Sequence, residues 1–239
     1  MGGGEKKRMP RVYLIRHGET EWSINGRHTG VSDIPLTANG ERVIQEAGPR
    51  IVGEGDDKLI HPKYLRHIFV SPRKRARRTF ELMFGDNLPE ACAVETVPEV
   101  AEWDYGKYEG WLTKDIRKDH PGWEIWKDGC LPGDTPGETP EQMTARVDGV
   151  IARIRKIHAE AKNTSPNPDS VENGDVIIFS HGHFTRAFIA RWCNFPIAAG
   201  YHFSADPGGL AVLGYQHFNL NEPSLLGLNW YTEEQLKAR

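Results

Sequence analysis

Short runs of apolar residues recur along the chain, separated by longer stretches in which apolar positions return every three or four residues. Apolar runs of this length predict buried strands, and the longer spacing predicts helices. Strands that alternate with helices are typical of a sheet joined by right-handed crossovers. The pattern therefore predicts an α/β fold, a three-layer α/β/α sandwich with a mainly parallel central sheet. The predicted strands are Val12–Ile15, His67–Val70, Ala93–Val97, Val176–Phe179 and Leu210–Tyr215.

Capping signals predict where the helices begin. Thr37 is a suitable N-cap for a helix that continues to about Val52. Ser71 is a second N-cap candidate, because Pro72 would then occupy the first helical position. Thr139 opens a capping box with proline at the first helical position. A stripe at steps of four and three predicts the buried face of the helix behind it: Met143, Val147, Val150, Ile154 and Ile157.

Polar segments rich in glycine or proline separate these elements. Residues 1–10 are predicted to form a flexible tail, and residues 11–239 a single domain. The loop 19–35 has no periodicity and suits an active-site surface. The segment 109–120 is predicted to be a helix, and 121–137 an extended insert rich in Gly, Pro and Trp.

The composition is that of an ordinary globular protein, with 38% hydrophobic and 26% charged residues in a chain of 239. A formal net charge of −3 argues against a broad basic surface for nucleic acid. The sequence has neither an apolar run long enough to span a membrane nor a secretory signal. Its three cysteines are widely spaced. These features predict a cytoplasmic protein that binds neither nucleic acid nor a membrane.

Basic residues stand where three of the predicted strands end. Arg16 and His17 follow the first strand, Arg73 follows Ser71-Pro72, and His181 and His183 follow the fourth. Because the carboxyl ends of parallel strands form the ligand crevice of an open α/β sheet, we expect these side chains to meet. The alternative is that each of them pairs with a carboxylate at its own strand end. Their convergence from three strands favours a site that binds and attacks an oxyanion.

The segments RHGETEW, SPRKRARRT, EWDYGKYEG and SHGH resemble the signature segments of the histidine phosphatase superfamily. The likeness runs in the same order from about Arg11 to about Asn229. WEIWKDGC, a following GET and DPGGLAVLGY are similar to the fungal sedoheptulose-1,7-bisphosphatase branch of that superfamily. The resemblance implies a phosphoglycerate mutase-like fold and a metal-independent phosphatase that hydrolyses phosphorylated sugars through a phosphohistidine intermediate.

The resemblance also implies the catalytic roles. His17 is expected to be the nucleophile, and Glu102 to protonate the leaving alkoxide. Arg16 and Arg73 are expected to bind phosphoryl oxygens, since guanidinium forks suit them, and His181 is expected to stabilise the phosphoryl group.

Two alternatives concern neighbouring residues. Glu109 competes with Glu102, but it lies at a predicted helix start, where a solvated charge explains it. The basic residues after Arg73 are interpreted as a solvated helix face and receive no catalytic role; they are Lys74, Arg75, Arg77 and Arg78.

Further residues are candidates for substrate contacts. Thr29 and Gly30 match a TG segment on the substrate side of the family, and Ser23 stands where the family usually has Asn. Arg186 resembles a residue available to a distal phosphate, although a surface helix would also explain it. Three more residues adjoin the catalytic candidates and complete the substrate-binding set: Tyr105, Gly182 and His183.

Two other functions remain open at this point, a phosphoglycerate mutase and a non-catalytic phosphate-binding protein. The mutases of the family hold a second charged group with a lysine and paired arginines, whereas this sequence has Thr113 and Lys127-Asp128 there. Hydrolysis is therefore favoured, with a small phosphorylated sugar as the substrate. No cofactor or metal is expected, because five further histidines lack metal-ligand spacing and cysteine partners: His61, His67, His120, His158 and His202.

Overall fold

Six strands form one sheet in the computed structural model, which describes residues 8–85, 88–130, 135–167 and 171–230. The strand order is β3-β2-β4-β1-β5-β6. The first four strands in that order pair in parallel, whereas β5 and β6 are antiparallel to their neighbours. A mainly parallel sheet is therefore confirmed. The strands are β1 Val12–Arg16, β2 Leu65–Val70, β3 Ala93–Thr96, β4 Asp175–Ser180, β5 Leu210–Tyr215 and β6 Pro223–Trp230.

Helices cover both faces of this sheet. Alternate residues of a strand point to opposite faces, so Leu14 joins the core beneath α6 and α7, while Ile15 joins the core beneath α2 and α3. The two cores confirm the three-layer α/β/α sandwich. The helices are α1 Glu21–Asn25, α2 Ala38–Ile51, α3 Lys74–Phe84, α4 Thr113–Asp119, α5 Ile125–Asp128, α6 Pro140–Thr164 and α7 Gly182–Trp192.

The longest helix, α6, begins and packs as its sequence predicts. Thr139 Oγ1 accepts from the amide of Gln142 at 3.2 Å, and Gln142 Oε1 accepts from the amide of Thr139 at 2.8 Å. All five residues of the predicted stripe are buried in the core beneath α6 and α7. Each such side chain contributes about 1.5–3 kcal/mol on full burial, so this stripe fixes α6 on the sheet.

Two helices begin later than the sequence predicts. Helix α3 begins at Lys74 rather than Pro72, with Arg73 as its N-cap residue. The Ser71 hydroxyl lies 2.7 Å from His181 Nε2 and accepts from the amide of Arg73 at 3.5 Å. Helix α4 begins at Thr113 rather than residue 109. Gly110 adopts a left-handed φ of 77° just before it, which interrupts a helix at that point.

Two segments of the chain contain a strand or a helix that the sequence pattern does not predict. Strand β6 was not predicted; it lies at the edge of the sheet and is mostly half-buried, so it lacks the alternation of a buried strand. The insert 121–137 contains the short helix α5, and Trp123 and Trp126 on either side of its start are buried. Aromatic burial therefore anchors a segment that reads as an irregular loop.

The amino-terminal boundary also differs from the sequence prediction. Arg8 pairs with the buried Asp175, and the backbone of Arg8 accepts from the amide of Val171 at 2.8 Å. Met9 and Pro10 are buried too, so residues 8–10 belong to the folded part. The rest of the predicted tail, residues 1–7, and residues 231–239 lie outside the described residues. Among the helices that the structure describes, none is long and apolar enough to cross a membrane.

Candidate active site

The carboxyl ends of β1, β2 and β4 lie side by side at one edge of the sheet. The amide of His17 donates to the carbonyl of Ser180 at 2.9 Å, and the amide of Ser71 donates to that of Phe179 at 3.0 Å. The rings of His17 and His181 consequently lie side by side, with their centroids 5.2 Å apart and their planes tilted by 58°. Neighbouring parallel strands thus bring together residues that are far apart in sequence, as their positions at strand ends predict.

His17 is oriented by a hydrogen bond from one ring nitrogen to the backbone. Its Nδ1 lies 2.7 Å from the carbonyl oxygen of Gly18, and because a carbonyl only accepts, Nδ1 carries the proton of the neutral ring. Burial lowers the pKa of His17 well below its usual range, and the charges of Arg75 and Arg16 lower that pKa further. The ring is therefore neutral near pH 7 and keeps a lone pair on Nε2.

His181 is fully buried, and each of its ring nitrogens has a partner. Arg75 Nε donates to Nδ1 at 3.2 Å, so the neutral ring carries its proton on Nε2, which lies 2.7 Å from Ser71 Oγ. Burial lowers the pKa of His181 well below its usual range, and the charge of Arg75 is the next cause. The result is a neutral imidazole with a fixed tautomer beside His17.

Arg75 belongs to this site, although the sequence analysis assigns it no catalytic role. The interpretation of Arg75 as part of a solvated helix face is wrong, because its side chain is fully buried in the structure. Its guanidinium donates to the carbonyls of Thr29 and Ser32 at 2.8 Å each, besides its bond to His181. The available signal was the spacing of four that Arg75 shares with the buried Thr79 and Met83 of the same helix.

The two arginines that the sequence assigned to the phosphate differ in their surroundings. Arg16 Nη1 donates to the carbonyl of Ala205 at 2.6 Å, which fixes the guanidinium at the edge of the sheet. Arg73 is half-buried at the start of α3, and its charge acts on His181 and on Arg75. Among the described residues its buried Nε has no hydrogen-bond partner. Both guanidiniums therefore stand near the pair of histidines.

Glu102 is held by backbone amides at the start of α7. Its Oε1 accepts from the amides of Trp103 and Phe184, both at 2.9 Å, and its Oε2 accepts from the amide of His183 at 3.0 Å. An oxygen of a carboxyl group offers two lone pairs, so Oε2 keeps one that no described donor uses. The segment that carries Glu102 is clamped by Arg146, which donates to the carbonyls of Glu99, Ala101 and Glu102.

Glu109 has a structural task that explains its presence. Its carboxylate accepts from the amide of Gly30 at 3.0 Å and from the amide of Ser32 at 2.9 Å. Those bonds hold the loop 29–32 in place, and the carbonyls of that loop accept hydrogen bonds from Arg75. Glu102 lines the same cavity as His17, whereas Glu109 supports the loop 30–32 and does not line that cavity.

A cavity of about 460 Å³ opens from these residues to the surface. His17 and Glu102 line the cavity, and Arg75 and His181 lie behind its wall; these four residues are called the inner end below. Arg27, Arg117 and Arg186 lie on the cavity wall further out and are called the outer end. Nine of the twelve predicted site residues line the cavity itself: Arg16, His17, Ser23, Thr29, Glu102, Tyr105, Gly182, His183 and Arg186.

The remaining three predicted residues lie behind the cavity wall. His181 belongs to the inner end, and the charge of Arg73 acts on it, as described above. The amide of Gly30 is occupied by Glu109, and its carbonyl lies 3.3 Å from Arg75 Nη2. A Cβ at Gly30 would come within 2.5 Å of the carbonyl oxygen of Trp103. The position therefore requires glycine for close packing of the loop rather than for a contact with substrate.

Tyr105 and His183 form a polar pair on the cavity wall. The Tyr105 hydroxyl lies 2.7 Å from His183 Nδ1, and the His28 ring stacks on His183 with its centroid 6.1 Å away. Burial lowers the pKa of His183 and raises that of Tyr105, so both groups are neutral near pH 7. Ser23 also lines the cavity, but its hydroxyl is engaged with the backbone of Thr20 at the start of α1.

Comparison with known proteins decides what this arrangement belongs to. The histidine phosphatase superfamily (branch 1) matches residues 12–230 of the chain. The chain belongs to this family. It is 32% identical to sedoheptulose 1,7-bisphosphatase of Saccharomyces cerevisiae, over 90% of this chain and 91% of that protein. It is 34% identical to an acid phosphatase of Mycobacterium tuberculosis, over 93% of this chain and 95% of that one.

The fold of the histidine phosphatase family is found again among solved structures. The structure of an open reading frame of Mycobacterium tuberculosis superimposes with a TM-score of 0.71 at 32% identity, covering 94% of this chain and 99% of that one. The two relatives named above are phosphatases, and the phosphoglycerate mutase-like fold implied by the signature segments is confirmed. Within the described residues, no group of His, Cys, Asp or Glu side chains is arranged to hold a metal ion.

Proposed function

We propose that this protein is a metal-independent phosphatase that hydrolyses phosphorylated sugars through a phosphohistidine at His17 Nε2. The observation that carries the proposal is the state of the His17 ring. Its proton is held on Nδ1 by the carbonyl of Gly18, and its lowered pKa keeps Nε2 unprotonated. A neutral imidazole nitrogen that faces a cavity beside several guanidiniums is suited to attack a phosphoryl group.

In the first step, the lone pair of His17 Nε2 attacks phosphorus while the bond from phosphorus to the ester oxygen breaks. We propose that the three neighbouring arginines supply the positive charge that a dianionic phosphoryl group requires: Arg16, Arg73 and Arg75. The Nε2–H of His181, which reaches Ser71 in this structure, then donates to a phosphoryl oxygen. Glu102 Oε2 gives its proton to the leaving alkoxide, so the sugar departs as a neutral alcohol.

In the second step, a water molecule attacks phosphorus and the bond to His17 Nε2 breaks. The Glu102 carboxylate takes a proton from that water and regains the form it had at the start. The electron pair of the broken bond returns to Nε2, and inorganic phosphate leaves. Both steps use the same groups, because the amides that hold the Glu102 carboxyl keep it beside the cavity throughout.

We propose a sugar bisphosphate as the substrate, as in the yeast relative, whose name states sedoheptulose 1,7-bisphosphate as its substrate. The cavity of about 460 Å³ falls within the range that small-molecule sites occupy. Its wall combines arginines with the neutral Tyr105–His183 pair, which suits phosphate groups and hydroxyl groups respectively. The cytoplasmic location and the single domain over residues 11–239 expected from the sequence stay predictions.

Hydrolysis fits the outer wall better than a mutase reaction does. Where the mutases of the family have a lysine, Thr113 lines this cavity. Where they have paired arginines, Lys127 forms an ion pair with Glu124 at 2.8 Å, and the Asp128 carboxylate accepts from the amide of Glu124 at 2.7 Å. These positions therefore provide no free cation for retaining a phosphoglycerate while the phosphohistidine persists.

The test is a phosphate-release screen over sugar monophosphates and bisphosphates in the presence of EDTA, with His17→Ala as the inactive control. We expect release by the wild type, undiminished by EDTA, and a loss of at least about a thousandfold in the variant. Rapid quench with a ³²P-labelled sugar phosphate should trap an acid-labile, base-stable label on the wild type and none on His17→Ala.

Either of two results would contradict the proposal. Full activity of His17→Ala would remove the nucleophile from the mechanism, and activity that EDTA abolishes would require a metal. An isomerised phosphoglycerate as the main product, measured in a coupled assay, would instead support the mutase alternative.

A further inference from the structure

The arginines of the outer end can donate hydrogen bonds but cannot accept them. Arg27, Arg117 and Arg186 are each oriented by a hydrogen bond to a main-chain carbonyl, and a guanidinium has N–H donors and no acceptor. Such groups suit the oxygens of a phosphate. Each hydroxyl group of a sugar also carries a proton, so a cavity that selects a phosphorylated sugar needs an acceptor beside the carbon chain as well.

His28 presents such an acceptor to the same cavity. The residue lines the cavity although only 7% of it is exposed. Its Nδ1 lies 2.9 Å from the carbonyl oxygen of Trp111, and because a carbonyl only accepts, Nδ1 carries the proton of the neutral ring. Burial lowers the pKa of His28 below its usual value. The ring is therefore neutral near pH 7, and Nε2 keeps its lone pair.

The lone pair on His28 Nε2 is not used by the protein. Among the described residues, none forms a hydrogen bond with this nitrogen. His158 provides a contrast, because its Nε2 also lacks a partner among the described residues but is sealed from solvent, whereas His28 Nε2 is not sealed in this way. A ligand hydroxyl that enters the cavity can therefore reach the His28 acceptor.

The His28 ring is held in one orientation by three aromatic neighbours. The Tyr105 ring meets it edge to face with the centroids 4.7 Å apart, and the Trp123 ring does so at 5.8 Å. The His183 ring stacks on it at 6.1 Å, with the two planes only 11° apart. A side chain that is already ordered loses little conformational freedom when a ligand binds, so the acceptor is preorganised.

The position of His28 relates it to the ester that is hydrolysed. The charge of Glu102 acts on His28, and Tyr105, which touches the His28 ring, follows Glu102 on the same segment. Glu102 is the proposed proton donor to the ester oxygen, so the first carbons of the sugar must lie beside it. A hydroxyl on those carbons is the group that His28 faces.

We infer that His28 determines specificity for hydroxylated substrates, because its Nε2 accepts a hydrogen bond from a hydroxyl group close to the phosphate ester. The inference rests on the proposed function and adds a residue that the sequence motifs do not select. A neutral acceptor has an advantage over a carboxylate here, since it does not repel the phosphate dianion. Glu124, a carboxylate that also lines the cavity, is paired with Lys127 instead.

The test compares ribitol phosphate with n-pentyl phosphate, because both are esters of a five-carbon chain and only the first carries further hydroxyl groups. The measured quantity is the ratio of kcat/KM for ribitol phosphate to kcat/KM for n-pentyl phosphate. His28→Phe keeps an aromatic ring but loses both nitrogens, whereas His28→Asn loses the ring but keeps an N–H for the Trp111 carbonyl. The two variants share the loss of the Nε2 acceptor, so we expect the ratio to fall about fivefold in each.

His120→Phe is the matched control. It makes the same exchange at an exposed histidine that packs against Tyr108 and does not line the cavity, and we expect it to keep the wild-type ratio. A ratio within twofold of the wild-type value in either folded His28 variant would overturn the inference. An equal fall in His120→Phe would overturn it too.

Binding separates this inference from the proposed function. The Kd values of the same two ligands are measured on His17→Ala, with and without His28→Asn, by the fluorescence of the tryptophans that line the cavity: Trp22, Trp123 and Trp126. If the wild type hydrolyses no sugar phosphate, the proposed function fails. A fivefold loss of the preference for ribitol phosphate in binding would still support the role of His28, and an unchanged preference would refute it.

Discussion

The inner and outer ends of the cavity are built in opposite ways. The inner end consists of side chains that follow three parallel strands or adjoin them, and its members are nearly inaccessible: His17 is 5% exposed, Glu102 8%, and Arg75 and His181 0%. The outer end consists of side chains from the loop after α1, from α4 and from α7, and Arg27 and Arg117 are exposed there. One end is fixed by the sheet, and the other by short helices and carbonyl contacts.

The difference in burial separates two kinds of contribution. Interactions between charges strengthen as water is excluded, so the inner end can shift the pKa of His17 and stabilise a transition state. Exposed charges are screened by solvent and salt. The outer end is therefore expected to affect binding and substrate choice, whereas the inner end is expected to affect the rate of the chemical step.

The sharpest test of the inner end is Arg75→Met. We expect kcat/KM to fall by about 10³, because a buried group that stabilises the phosphoryl charge is lost. The acid limb of the kcat/KM profile should also move to higher pH. With Arg75 present, the pKa of His17 lies below its usual value, and after burial the charge of Arg75 is the largest cause. Without it the pKa rises, so His17 gains a proton, and loses its nucleophilic lone pair, at a higher pH.

Arg77→Met is the matched control, since Arg77 is an exposed residue two positions further along the same helix. We expect this variant to keep the rate and the pH profile of the wild type. If Arg75→Met lost activity with an unchanged acid limb, Arg75 would act on the phosphoryl group or on the loop 29–32, and not on the pKa of His17.

A second test at the inner end is Glu102→Gln, which keeps an oxygen for the backbone amides but cannot donate an acid proton. We expect a fall of about 10² in kcat for a sugar phosphate, whose alkoxide leaves poorly without a proton. With p-nitrophenyl phosphate the leaving group needs no proton. The first step should then stay fast and the second slow, so stopped flow should show a burst of p-nitrophenol. Equal losses on both substrates without a burst would exclude the proton-donor role.

Most of the inner end could be predicted from sequence, because its position depends on where the strands end. Apolar runs mark β1, β2 and β4, and parallel pairing places whatever follows them at one edge, so His17 and His181 could be expected to meet. Arg75 escaped this reasoning because a charge run on a helix usually faces solvent. Its burial depends on carbonyls of the loop 29–32, which another loop residue, Glu109, holds in place.

The outer end could not be predicted from sequence in the same way, because neither hydrophobic periodicity nor the end of a strand determines where its residues lie. Arg27 and Arg117 line the cavity because α4 begins at Thr113, after the turn at Gly110, and because the buried tryptophans hold the insert in place. Strand β6 could not be predicted for a similar reason, because its position at the edge of the sheet leaves it mostly half-buried and without an alternating pattern. Elements that bury a continuous face are thus predictable, and those positioned by isolated contacts are not.

The smallest expected effect comes from salt, and it addresses the two ends at once. Raising KCl from about 0.05 to about 0.5 M shortens the screening length to a few ångströms. We expect KM for a sugar bisphosphate to rise about threefold more than KM for the monophosphate, while kcat stays within about twofold for both. The reason is that the exposed arginines of the outer end are screened, whereas Arg75 and His181 lie out of reach of solvent ions.

In the Arg27→Gln, Arg117→Gln double variant the additional salt dependence should disappear. If the additional salt dependence persisted there, Arg27 and Arg117 would not be its source; if kcat fell more than twofold as the salt concentration rose, solvent ions would be reaching the inner end.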